Sequence, residues 1–210
     1  LLPDALLNYL ALLGWSPGND IEILKPSDIS NLFEIRGLSI SPSIFDPEKL
    51  SWINGVHIRE MDENKLSTII KEKVNLNSNN AQNISESDFI KITSLIRERI
   101  KSLDEIYPLI KFFFEYEKPE NELIKCSDLN NEEIRKLIKD LINDFKQLEI
   151  KKNKTSSDIE DLLRSNCKEL NLKVRDYLSL IRNCITGSEI SPPLFEAIEI
   201  LGINEATNRL

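Results

Sequence analysis

The residues of this chain able to do chemistry are arginines set beside helix ends. Around the run LSLIRNCITGSEISPPLFEAIEIL, Leu178 to Leu201, Val174, Tyr177, Leu178, Ile181 and Ile185 recur at three- and four-residue steps. They define one apolar helix face, and Arg175 and Arg182, seven residues apart, stand in line on its edge. Thr186-Gly187 ends that helix, because glycine takes the left-handed geometry found just past a helix. Ser191, followed by Pro192 and Pro193, reads as a capping residue with prolines where a first turn needs no amide hydrogen, and a new helix starts at Leu194. Two arginines thus stand beside exposed amides and a positive helix end, which suits a polyanion and has the character of an RNA-reading corner.

A third arginine is out of place in its own helix. Ser85 with Asp88 is a near capping box, and the helix it opens puts Phe89, Leu95, Ile96, Ile100, Leu103 and Ile106 in one stripe around Ile92. Arg99 falls inside that stripe, whereas Arg97 and Lys101 point away as solvated charges do. An arginine centred on an apolar face must snorkel, pair with a carboxylate or meet a ligand.

No catalytic constellation accompanies these arginines. His57, in VHIRE, lies between apolar neighbours with no cysteine or serine motif beside it, and reads as a packed or surface histidine. The 6 glycines are scattered, so there is no phosphate loop. Cys126, Cys167 and Cys184 are odd in number and widely spaced; with one histidine they make neither a disulfide framework nor a zinc site. The expectation is therefore no catalytic residue, no metal ligand and a reducing, cytoplasmic setting.

The elements that must position the arginines are all helical. Asp4 to Leu13, DALLNYLALL, is apolar almost throughout and reads as a well-buried helix stopped by Gly14. Pro26-Ser27 opens a short helix around Ile29, Leu32 and Phe33. Asp46 caps a third, with Pro47 in its first turn and Asn54-Gly55 a candidate break. LSTIIKEKV is a short helix, NLNSNNAQN a loop, Tyr107 to Phe114 an apolar segment, and Asn130 begins a long helix carrying Ile134, Leu137, Ile138, Leu141, Ile142 and Phe145 inward. KKNKTSS, Lys151 to Ser157, reads as a polar junction in which Ser156 or Ser157 caps the next helix. The fold class is all-α, with an elongated outline and sections over 1–66, 67–150 and 151–210.

A chain of 210 residues with a net charge of −8 does not coat nucleic acid indiscriminately. Its charge is uneven: residues 151–210 hold 9 Lys/Arg against 9 Asp/Glu, whereas 1–60 hold 4 against 8. Basic islands at Lys91, Arg97, Arg99 and Lys101, and at Arg164, Lys168, Lys173, Arg175 and Arg182, leave room for a specific footprint. Arg97, Lys101, Arg164, Lys168 and Arg175 are the candidate phosphate contacts. No apolar run is long enough to span a membrane.

Three runs, LPDALLNYLALLGWSPG, FDPEKLSWINGVHIRE and LIRNCITGSEISPPLFEAIEILG, together and in order resemble bacterial-type glutamyl-tRNA synthetases. The likeness is dense in the first 60 and last 30 residues. It implies a stem-contacting section followed by two anticodon-binding subdomains of a class I glutamate-tRNA ligase, a monomer that charges tRNA-Glu with glutamate. It implies no DNA or membrane partner, and ATP and Mg as needs of the intact enzyme, with no cofactor in these residues. The Lys-Met-Ser-Lys-Ser and His-Ile-Gly-His type signatures do not occur, so a non-catalytic piece, beginning inside a longer chain, is expected. By the resemblance, Arg182 and Leu194 line the pocket for the first anticodon base and Ser191-Pro192 lie beside the bases. Arg99, aligned through LIRERIKSL, matches an arginine that favours glutamate over glutamine tRNA at the third base; a two-residue shift would put Arg97 there. The reading of another class is an RNA-independent helical interaction module.

Overall fold

A computed structural model describes residues 1–18, 20–40, 43–78, 84–150 and 154–210. Among them are eleven α-helices: α1 Pro3–Gly14, α2 Pro26–Leu32, α3 Pro47–Glu60, α4 Glu63–Asn77, α5 Glu86–Arg97, α6 Ile106–Ile110, α7 Asn131–Ile150, α8 Ser156–Glu169, α9 Val174–Thr186, α10 Leu194–Leu201 and α11 Ile203–Arg209. No strand forms among the described residues; a single antiparallel bridge joins Trp15 to Leu38. The all-α class is what the helical periodicities require.

Local chemistry explains most of the helix starts. Proline occupies the first turn of α1, α2 and α3, where no intrahelical partner exists for an amide hydrogen. Asp46 accepts from the amides of Glu48 and Lys49, Asp62 from Lys65, Ser85 from Asp88, and Asn130 from Glu132 and Glu133. Thr155, rather than Ser156 or Ser157, caps α8, because its hydroxyl and the Asp158 carboxylate form a reciprocal box. Part of the expected polar junction, residues 151–153, and part of the expected loop, residues 79–83, lie outside the described residues; α4 runs to Asn77 before that loop.

The helices enclose two hydrophobic cores. The first gathers Leu2 through Phe114 together with Ala197, and so draws on α1, α3, α4, α5 and α6. The second gathers Cys126 through Ala206, on α7 to α11. The core residues thus fall into two groups, divided between Phe114 and Cys126 apart from Ala197 of the first, and residues of both 1–66 and 67–114 contribute to the first. The reason is that the apolar stripe of α7 packs forward on α11, while α4 packs on α5 and α6. The stretch between the cores is tied to α9: Asn183 Nδ2 donates to the Leu123 carbonyl at 2.8 Å. The protein exposes 12792 Å², against ~10,000 Å² for a compact monomer of this mass, as a two-core arrangement would.

Three local expectations change in the fold. The first helix is one-sided, not buried all round: Ala5, Asn8 and Tyr9 are inside, while Leu6, Leu7 and Leu10 are exposed. Asn54-Gly55 does not break α3. Asn54 is buried, accepts from the Leu2 amide at 2.7 Å and donates to the Lys101 carbonyl, and a Cβ on Gly55 would lie 3.4 Å from the Lys101 side chain. Polar but fully used, Asn54 joins the start of α1 to the turn after α5. On α9, Val174 lies outside, and the buried face is Tyr177, Leu180, Ile181, Cys184 and Ile185.

Candidate nucleic-acid interface

The end of α5 decides where the arginines go. The helix stops at Arg97 and a turn follows, so a wheel drawn through Ile100 and Leu103 loses its phase there. Arg99 accordingly leaves the apolar stripe and is exposed. Its Nη1 donates to the Ser191 carbonyl at 3.0 Å, across to the second core. Arg97 takes the opposite place: half-buried, it donates to the Met61 carbonyl at the end of α3, while its Nε is buried without a partner. Arg97 is therefore a structural tie, neither a solvated charge nor a free phosphate contact.

Arg182 approaches the same serine from α9. Its Nε donates to Ser191 Oγ at 3.1 Å, and that hydroxyl in turn donates to the Pro192 carbonyl at 2.9 Å. Ser191 does not cap α10, whose side-chain cap is absent; its hydroxyl is used on Arg182 instead. Burial first, and then the like charge of Arg99, hold the Arg182 guanidinium below its ordinary value. It remains charged near neutrality, since arginine's range lies so high. Neither arginine has a carboxylate partner among the described residues. Each places one of its five donors on Ser191.

Beside Arg99 lies a groove of about 790 Å³ lined by Arg99, Asp104, Glu105, Pro108, Leu109, Ser188 and Ile190. It spans the two cores, and Ile190 stands 75% exposed in it. Ile190, Pro108 and Leu109 were not singled out from the sequence. The available signal was an apolar residue, Ile190, stranded between polar neighbours in a run with no helical period. The lining is mixed: Pro108, Leu109 and Ile190 are apolar, Asp104 and Glu105 bring carboxylates, and Arg99 is the one cation among the lining residues. Ser191, Pro192 and Leu194 are themselves buried, Leu194 at 3% within the second core. They shape the site from below.

The remaining candidates are scattered. Arg164 pairs with Glu160 at 2.6 Å and lies 5.9 Å from the Phe195 ring. Lys101, Lys168 and Arg175 are exposed. His57 is a packed residue: its Nε2 lies 3.0 Å from Asn8 Oδ1, which also accepts from the Leu24 amide. A backbone amide can only donate, so that Asn8 atom is the oxygen and His57 Nε2 carries the hydrogen. The three cysteines are buried and free. Among the described residues no group of three or more His, Cys, Asp or Glu could hold a metal ion, and no helix is long and apolar enough to cross a membrane.

Two guanidiniums without a carboxylate partner among the described residues thus meet on one serine beside this groove. A family model described as an anticodon binding domain matches residues 60–210, which include every residue of this site. The chain belongs to the anticodon-binding domain family. It is 32% identical over 211 residues to glutamate-tRNA ligase 2 of Caldicellulosiruptor saccharolyticus and 35% identical over 214 residues to glutamate-tRNA ligase 2 of Thermosipho melanesiensis. It is matched along its whole length and covers 42% and 45% of those proteins. A crystal structure of a glutamate tRNA ligase from Elizabethkingia meningosepticum superimposes with a TM-score of 0.81 at 22% identity, covering 99% of this chain and 40% of that one. The resemblance carried by the three sequence runs therefore extends through the thin middle section, and the chain spans about two fifths of the length of the curated relatives it matches.

Proposed function

We propose that this chain is the anticodon-reading part of a glutamate-tRNA ligase, with tRNA-Glu as its partner. The observation that supports the reading most is the convergence of Arg99 and Arg182 on Ser191 with most of their donors unspent. Arginine in a solvent-screened ion pair adds little, but an unpaired one held by neutral acceptors is ready for a base edge or a phosphate. Single-stranded loop bases, splayed from their stack, are the RNA targets that offer such edges. Arg99 reads the third anticodon base from the groove side, and Arg182 serves the first. The first 60 residues serve the stem. Charging of the tRNA with glutamate, with ATP and Mg, belongs to the intact ligase; the signatures for that chemistry are not among these residues. The protein acts as a monomer in the cytoplasm.

A mobility shift with transcribed tRNA-Glu and tRNA-Gln tests the reading. Tighter binding of tRNA-Glu, lost on Arg99→Gln and Arg182→Ala, is expected. Equal, weak retention of any RNA, unaffected by either substitution, would overturn it in favour of an RNA-independent helical module.

A further inference from the structure

Arg209 takes no part in the site above, yet it is the most fully enclosed charge in any ion pair among the described residues. Its side chain is 6% exposed, whereas every other such side chain exposes 29% or more. Its Nε donates to Glu205 at 2.8 Å on the same helix. Its Nη1 donates to two carbonyls, Phe112 at 2.9 Å and Ile185 at 3.1 Å. The guanidinium also lies 4.6 Å from the centroid of the Tyr116 ring, and the Tyr116 hydroxyl faces the carbonyls of Cys184 at 2.7 Å and Arg209 at 3.2 Å.

The two carbonyls belong to different cores. Phe112 sits in a 3-10 turn, Lys111–Phe113, of the first core, and Ile185 in the last turn of α9 in the second. Carbonyls in a last helical turn have no intrahelical partner and carry the negative end of the helix dipole, so a cation there satisfies both needs. Planar and fork-shaped, arginine can stack on a ring while its edge reaches several acceptors; lysine cannot. Beside this point Gly187, at φ +70°, ends α9 directly under the Glu117 carbonyl, where a Cβ would lie 2.2 Å from the oxygen. The chain between the cores is pressed onto the end of α9 at the place that Arg209 clasps.

Arg182 stands one turn before Ile185 on α9, and Arg99 stands on the first core. We propose that Arg209 is a positioning residue for the RNA site: by bridging Phe112 and Ile185 it sets α9 against the first core, and so the placement of Arg182 relative to Arg99. This rests on the reading that those two arginines take an anticodon loop. The consequence is cooperative: with the clasp loosened, Arg99 and Arg182 no longer meet one loop together, although each core keeps its own packing.

The test measures binding of a tRNA-Glu anticodon stem-loop by wild type, Arg209→Lys, Arg99→Gln and the double variant, with melting curves for each. Arg209→Lys should bind about tenfold more weakly, and the cost of Arg99→Gln should shrink from about tenfold in wild type to under about threefold in that background, since coupled residues are non-additive. Wild-type affinity in Arg209→Lys, or an undiminished Arg99→Gln effect within it, would overturn the clasp. If Arg209→Lys melts without cooperativity, Tyr116→Phe carries the test by removing the hydroxyl bonded to Cys184: weakening of about threefold supports the clasp and unchanged affinity overturns it. Failure of wild type to bind any loop overturns the anticodon reading itself. Hydrogen exchange then judges the clasp as a structural device: faster exchange at residues 187–191 in Arg209→Lys, with α4 and α7 still protected, supports it, and unchanged exchange overturns it.

Discussion

Arg99→Gln removes one of the two guanidiniums on Ser191 and leaves a neutral amide of shorter reach, and the structure separates what this does to stability from what it does to binding. On the stability side the variant loses a hydrogen bond to the Ser191 carbonyl, worth about 1 kcal/mol. It also relieves the repulsion between Arg99 and the half-buried Arg182, worth a fraction of that near the surface. Because Arg99 is exposed and makes no ion pair among the described residues, no buried acid is orphaned. The net change should stay within about 1 kcal/mol, or roughly 2–4 °C in Tm for a protein of this size. On the binding side, a donor on a base edge discriminates by about 1–3 kcal/mol, so the preference for the glutamate over the glutamine loop should narrow about tenfold or more. Fluorescence anisotropy with the two labelled stem-loops, repeated across salt concentrations, measures both the ratio and its origin. A base contact leaves the salt slope unchanged, whereas loss of a phosphate contact lowers it by about 0.7. Arg182→Ala, by contrast, should weaken both loops alike. A Tm drop of about 10 °C in Arg99→Gln with an unchanged ratio would refute the reasoning, since a shift of that size requires several kcal/mol and hence a buried pair.

Gly187→Ala should lower stability by about 2 kcal/mol or more, because alanine is strained at φ +70° and its Cβ would press on the Glu117 carbonyl; a urea titration reads the loss. Stability should also fall in alkali. Burial pushes the Cys184 thiol up to about 11 from 9.0, so the folded state keeps a proton that the unfolded chain gives up; the stabilisation is complete below pH 9 and is lost as pH rises toward 11. The loss, roughly 2–3 kcal/mol, should be smaller in Cys184→Ala, and buried Tyr177, likewise raised, should add to it in both proteins at the upper end of that range. Unfolding curves at pH 8 and pH 10.5 check this. At pH 8 Cys184 should also resist alkylation, which needs the thiolate.

Much of this protein is legible in its sequence because helix chemistry is local. Pro3, Pro26 and Pro47 mark starts, Asp46, Ser85 and Asn130 cap, and Gly187 ends α9 at positive φ, each through contacts within four residues of chain. The stripes of α7 and α9 identify the second core for the same reason, and the arginines stand out by residue type, although the sequence paired Arg182 with Arg175 and the fold brings it to Ser191 with Arg99. What the sequence could not determine depends on where one element meets another. Arg99 seemed to sit on an apolar face because a wheel assumes an unbroken helix; three residues past Ile96 the backbone has already turned, and the charge leaves the core for Ser191, 92 positions away. Arg97, still the last residue of α5, reaches instead to the Met61 carbonyl at the end of α3. Asn8 and Asn54 look like surface polars, yet both are buried, since tertiary contacts supply the partners that sequence neighbours do not. Arg209 has no more local signal than a glutamate four residues before it, Glu205. Its acceptors come from Phe112 and Ile185, and only the packing of two cores brings those carbonyls within reach of one guanidinium.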